Sequence, residues 1–263
     1  MDINAYLSRI NYHGSREPTA ETLRDLQVAH LLAVPFENLS IHSGEPIVLN
    51  DKDLFEKVVQ RRRGGFCYEL NGLFAALLRK LGFGVEMLSA GVANPLGEFG
   101  PDFDHMTLMV TLEQRWLADV GFGDSFREPL LLDERGIQKQ NEHEYEIVAE
   151  GDQRTLMQRD SGGDWMAQYR FTLQPHVYAD YAEMCRFHQT SPDSHFTKAP
   201  LCSLATADGR ITLGGGHFIT TIRSGEKHEV AVSGEAEFAQ LLREHFGIEM
   251  DGGVSEPPSS AGG

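Results

Sequence analysis

Apolar residues in the first third of the chain recur at three- and four-residue steps. Leu70, Phe74, Leu77, Leu78 and Leu81 fall on one face of an amphipathic helix that opens at Cys67 and stops at Gly82. The same spacing predicts helices over residues 4–10, over 22–32 behind Pro18 and Thr19, and over 51–62 behind Asn50. From about Val85 the pattern changes to short β-branched and apolar runs separated by turn residues, predicting strands over 85–88, 105–112, 115–123, 145–148, 155–158 and 165–172. The last part mixes a helix over 178–188, strands near 202–206, 210–213 and 217–222, and a helix over 235–245. The stripe Phe238, Leu241, Leu242 and Phe246 on that final helix reads as core packing. These runs predict an α+β chain in three parts: a helical bundle over 1–83, an open or closed antiparallel barrel over 84–188, and a mixed unit over 189–251. Residues 252–263, rich in Gly, Ser and Pro, are expected to be disordered.

With 263 residues and 41% hydrophobic content, the chain can bury a substantial core. It has no apolar run of membrane-spanning length and no signal-peptide core at its N-terminus, so a cytoplasmic location and no membrane partner are expected. A formal net charge of −16 argues against nucleic acid as a partner, because phosphate contacts need basic clusters. Three cysteines, Cys67, Cys185 and Cys202, form no C-x-x-C pair and suggest neither a disulfide framework nor a metal site.

The informative segment is Arg63-Gly64-Gly65-Phe66-Cys67-Tyr68-Glu69-Leu70-Asn71. It puts a lone cysteine at a helix start, where the dipole favours a thiolate and thiol pKa values can fall to roughly 3.5–7.5. The two glycines allow close backbone approach and could leave N–H groups free for an oxyanion. Taken alone, Cys67 reads equally well as a small buried hydrophobe.

A nucleophile needs a base. His105 opens a predicted strand, and Asp119 is a carboxylate in the otherwise apolar run that follows, where it needs a partner. A three-residue loop, 112–114, would set Thr111 opposite Arg115 and Thr107 opposite Asp119. His105 and Asp119 then become diagonal neighbours on one sheet face, about 7–8 Å apart before their side chains reach toward each other. A two-residue turn would put them on opposite faces. Each residue also has an ordinary structural reading, His105 bonded to backbone and Asp119 ending a strand. Together the three have the nucleophile, base and orienter roles of a cysteine triad.

These residues resemble the arylamine N-acetyltransferases of bacterial, CoA-dependent type. The likeness is carried by Arg63-Gly64-Gly65-Phe66-Cys67, His105, Asp119-Val120-Gly121-Phe122-Gly123, Val34-Pro35-Phe36-Glu37-Asn38-Leu39 and Thr190-Ser191-Pro192-Asp193-Ser194-His195-Phe196-Thr197. The resemblance implies a helical bundle, a central antiparallel barrel and a C-terminal α/β lid around a cysteine-protease-like catalytic core. It implies Cys67 as the acetylated nucleophile, His105 as general base and acid, and Asp119 as its orienter. Glu37 would pair with Arg63 beneath the catalytic helix, Phe122 and Gly123 would line the substrate cleft, and Arg61 and Arg62 read as a solvated run. Acetyl-CoA would be the co-substrate, without a metal, and an aromatic amine, arylhydrazine or N-hydroxyarylamine the acceptor. The rival readings are a macrolactam-forming amide synthase of the same family, a cysteine peptidase or transglutaminase, and a non-catalytic module in which the three residues are core groups.

Overall fold

In the computed structural model, residues 1–222 and 225–250 are described, and the expectation for 252–263 lies outside them. The helical first part begins with α1 (Ile3–Arg9), capped by Asp2, and α2 (Ala20–Ala33), capped by Thr19. A two-residue strand β1 (Phe36–Glu37), a short α3 (Leu39–Ser43) and α4 (Asp51–Phe55), capped by Asn50, lead to α5 (Cys67–Lys80). The helix expected over 51–62 is interrupted: after Phe55 it widens into a π turn, Glu56–Gln60. That turn buries the Lys57 side chain, whose Nζ meets Glu69 at 2.7 Å.

Helix α5 also departs from expectation. It reads as amphipathic, yet every residue from Cys67 to Leu78 is buried, because β-sheet covers one side and the other helices cover the rest. Its polar residues Glu69 and Asn71 therefore have to find partners in the interior. At its far end Gly82, at φ +94°, takes the left-handed conformation that stops the helix.

The strands β2 (Gly84–Val92), β3 (His105–Thr111), β4 (Arg115–Ala118), β5 (Leu130–Leu131), β6 (Gln138–Gln140), β7 (His143–Glu150), β8 (Gln153–Asp160) and β9 (Met166–His176) form one antiparallel sheet, in the order β5-β4-β3-β2-β9-β8-β7-β6. The sheet nearly closes into a barrel. Its two ends are joined by side chains instead of a ladder: Gln138 donates to the Leu131 carbonyl at 2.9 Å and accepts from the Leu131 amide at 2.7 Å. The interior is filled by Leu88, Met109, Leu117, Phe126, Tyr145, Leu156, Tyr169 and Phe171.

Helix α6 (Ala182–Thr190) leads into β10 (Leu201–Thr206), β11 (Gly209–Gly214), β12 (His217–Ile222), β13 (Lys227–Ala231) and α7 (Gly234–Leu241), which continues as a π turn, Leu242–Phe246. The second sheet has the order β1-β10-β11-β12-β13, so a strand from the helical part forms its edge, with Phe36 opposite Ser203. Phe238, Leu242 and Phe246 pack on Cys202 and Leu213, as the apolar stripe of the last helix predicts.

One buried group makes the helical part sensitive to acid. His30 is fully buried against Tyr6, whose hydroxyl lies 2.9 Å from Nδ1, and against the edge of Phe74, while Nε2 has no partner. Burial, with the nearby Arg9 charge, lowers its pKa from 6.5 to about 3. The folded chain keeps this ring neutral while the unfolded chain binds a proton below the ordinary value. Its contribution is therefore complete above pH 6.5 and is lost as the pH falls toward about 3. The penalty reaches about 5 kcal/mol at the acid end. Urea unfolding of the native chain and His30→Gln, followed from pH 7 to pH 4, should give stability curves that converge as the pH falls; parallel curves would contradict this.

Candidate active site

The site is assembled on α5, the β3–β4 hairpin and the loop that follows it. The hairpin adopts the predicted register, Thr111 opposite Arg115 and Leu108 opposite Ala118, and its three-residue loop is closed by the Leu112 amide donating to the Gln114 carbonyl at 2.9 Å. Asp119 follows directly, and its Oδ2 lies 2.7 Å from Nε2 of His105. Both side chains are buried.

Three further groups hold that carboxylate, and a fourth holds its backbone amide. Oδ1 accepts from Asn71 Nδ2 at 2.8 Å and from the Gly121 amide at 2.9 Å, Tyr169 OH donates to Oδ2 at 3.2 Å, and the Asp119 amide donates to Gln27 at 3.1 Å. Burial favours the neutral acid, but the His105 charge and hydrogen bond, with the Asn71 and Gly121 donors, hold the Asp119 carboxyl below the usual carboxylate range. It is thus an anion available to stabilise an imidazolium.

Cys67 is the first residue of α5 and is 3% exposed. The loop after Asp119 lies directly on it: a Cβ at Gly121 would fall 2.8 Å from the Cys67 Cα. The sulfur is beside β3, where the Met106 amide lowers its pKa. Burial is the larger influence and pushes the Cys67 thiol well above its ordinary value, with the Asp119 and Asp104 carboxylates acting in the same direction. Burial thus outweighs what the helix start contributes, and a buried anion needs a positive partner. The carboxylate engages Nε2 of His105, so that contact does not use Nδ1.

The paired glycines serve close packing. A Cβ on Gly64 would lie 2.0 Å from the Pro35 carbonyl oxygen. The Gly65 amide donates to Pro35 at 3.4 Å and its carbonyl accepts from the Glu37 amide at 2.9 Å, so the Gly65 N–H is engaged and is not an oxyanion donor. Beneath this turn Arg63 meets Glu37 through Nε at 3.0 Å and Nη2 at 2.8 Å. Glu37 also accepts from the Leu39 amide at 2.6 Å and lies 3.9 Å from Lys57. Burial would neutralise Glu37, but Lys57 and Arg63 keep its carboxyl below the ordinary value. Arg61 is exposed and pairs with Glu45.

Phe122 stacks edge-on against His105 and Tyr169, each at 5.1 Å between ring centres. Gly123, at φ +94°, faces the Phe36 ring. Beyond it the loop meets the second sheet, where Arg127 donates to the Thr206 carbonyl at 2.7 Å and to that of Gly209, and Arg210 lies 3.1 Å from Asp124. A cavity of about 340 Å³ opens between them, lined by Asp124, Arg127, Tyr145 and Arg210 among others.

Asn71 is a member of the site that sequence reasoning missed. It bonds the Met106 carbonyl at 2.6 Å, Asp119 at 2.8 Å and the Val120 amide at 2.8 Å, so one side chain ties α5 to both other elements. Its position four residues after Cys67, on the same helix face, was the available signal. Tyr169 and Gln27 gave none, being 50 and 92 residues from Asp119.

The chain is an acyltransferase of the N-acetyltransferase family, whose model matches residues 19–254. The chain belongs to the arylamine N-acetyltransferases. It is 34% identical to the arylamine N-acetyltransferase of Mycolicibacterium smegmatis, over 95% of this chain and 93% of that one. To the arylamine N-acetyltransferase of Escherichia coli strain K12 it is 33% identical, over 95% and 89%. The Mycobacterium marinum arylamine N-acetyltransferase in complex with CoA superimposes with a TM-score of 0.85 at 34% identity, over 94% of this chain and 93% of that one.

Proposed function

We propose that the chain transfers an acetyl group from acetyl-CoA to an arylamine, arylhydrazine or N-hydroxyarylamine by way of acetyl-Cys67. The observation that carries this reading is the buried 2.7 Å contact between His105 and Asp119 on the strand and loop that pack on Cys67. His105 takes the thiol proton as Sγ attacks the thioester carbonyl. The bond from that carbon to the CoA sulfur breaks, and the departing CoA thiolate takes the proton from His105. In the second half, the amine attacks acetyl-Cys67 and gives its proton to His105, while the Cys67 thiolate leaves and takes that proton back. Asp119 supports the positive ring in both halves.

Phe122 and Gly123 form the cleft wall in this reading, with the ring offering an apolar face to a flat acceptor. Glu37 and Arg63 hold the turn beneath the helix. Helix-borne nucleophile, strand-borne base and adjacent carboxylate make a cysteine-protease-like core, and the unit over 189–251 serves as a lid, tied to the triad loop by Arg127. The three-part organisation over 1–83, 84–188 and 189–251 follows from the same division of roles. The fit is to small-molecule partners, coenzyme A and the acceptor. A cytoplasmic location suits three unpaired, buried cysteines; among the described residues no helix is long and apolar enough to cross a membrane.

Initial rates with acetyl-CoA and an arylamine varied together should give parallel double-reciprocal lines, the pattern of a substituted enzyme. Intersecting lines, or turnover only with an acyl chain delivered by a carrier protein, would overturn this reading, the latter in favour of an amide synthase.

A further inference from the structure

Ser194, His188 and the half-buried Asp104 form another cluster of chemistry-bearing side chains, separate from Cys67, His105 and Asp119. Ser194 and His188 are each 2% exposed. Nδ1 of His188 lies 3.1 Å from Ser194 Oγ, and Nε2 lies 3.1 Å from Asp104 Oδ1, a charge contact. Ser194 is a poor nucleophile here, since it is buried and its oxygen also accepts from the Phe196 amide at 3.2 Å. The cluster's significance lies in where Asp104 stands.

Asp104 immediately precedes His105. Its Oδ2 accepts from the Val92 amide at 3.2 Å, and its carbonyl accepts from Tyr68 OH at 3.2 Å; the Phe103 carbonyl accepts from the same hydroxyl at 2.6 Å. Tyr68 follows Cys67 on α5. Phe103 has φ +66°, a left-handed conformation costly for an aromatic residue, and its amide donates to Ser89 Oγ at 2.7 Å. The chain thus enters β3 through a strained turn, held by α5 on one side and by α6 and residue Ser194 on the other.

We propose that Asp104, held by His188 with Ser194 behind it, is a positioning residue for His105, fixing the start of its strand. This rests on the acetyl-transfer reading above. The titratable groups around Cys67 and His105 are Tyr68 from α5, Asp119, Tyr169 from β9, Tyr181, Cys185 from α6 and Asp104; those around Asp104 are Tyr68, His105, His188 and His195. Although burial opposes its charge, contact with His188 keeps the Asp104 carboxyl below its ordinary value, and its negative charge acts on Cys67 in the direction that retains the thiol proton.

Two substitutions separate the charge of Asp104 from its hold on the turn. Asp104→Asn removes a negative charge and should lower the acid midpoint of Cys67 alkylation, followed on the Cys67 peptide across pH, by roughly half a unit to one unit. His188→Gln leaves that carboxylate in place but loosens the turn, and should slow alkylation several-fold with the midpoint unmoved. A packing role for Asp104 would slow the reaction in both variants and move the midpoint in neither. A folded Asp104→Asn with an unmoved midpoint, or a folded His188→Gln that alkylates at the unsubstituted rate, would overturn the proposal. Should either variant fail to fold, the result for the other decides. If the unsubstituted enzyme acetylates Cys67 while the Asp104→Asn midpoint stays fixed, the clasp alone has failed.

Discussion

Asp119→Asn is expected to fold and to lose about four orders of magnitude in kcat, the scale seen when a triad carboxylate becomes an amide. The fold should survive because the amide oxygen can keep the places of Oδ1, accepting from Asn71 and from the Gly121 amide. The amide nitrogen then faces Nε2 of His105 and Tyr169 OH. A donor there forces Nε2 to accept, so the ring carries its proton on Nδ1, the nitrogen that has to receive the thiol proton. The charge that supports the imidazolium is lost as well. Unfolding midpoints in urea close to those of the unsubstituted chain, together with this loss of turnover, would confirm the assignment. A folded variant within tenfold of full activity would show that the carboxylate is not the orienter.

Much of this site was legible in the sequence because the decisive relations are local. Cys67 at the start of a helix ending at Gly82 is a matter of periodicity and one glycine, and the side-by-side placement of His105 and Asp119 follows from the loop over 112–114. The pairing of Arg63 with Glu37 came from the family resemblance, and the 2.8 Å contact shows it. What sequence could not show depends on distant neighbours. The full burial of α5 requires the sheet and the helices together, and that burial opposes the thiolate that the helix start favours at Cys67. Strand β1 exists because Phe36 and Glu37 meet Ser203 and Cys202 far along the chain, and β5 and β6 are two- and three-residue pieces with too few positions for a period. The π turn after Phe55 likewise follows no hydrophobic period, and it places Lys57 beneath the nucleophile's helix.

The larger expected effect belongs to Cys67 itself. A buried thiol with a raised pKa is inert unless a base beside it takes the proton, and in the proposed mechanism His105, held by Asp119, is that base. Cys185 and Cys202 are also buried, with their thiols pushed up, the former to about 12. Neither belongs to the triad, so acetyl transfer should pass through one sulfur only, and Cys67→Ala should abolish turnover while leaving a small, well-packed apolar side chain in place. The direct measurement is intact mass after incubation with acetyl-CoA and no acceptor, with the modified peptide then identified. The account predicts a single acetyl group on Cys67, discharged by an arylamine and absent in Cys67→Ala. An acetyl group on Cys185 or Cys202, or an unmodified chain with CoA unreleased, would contradict it.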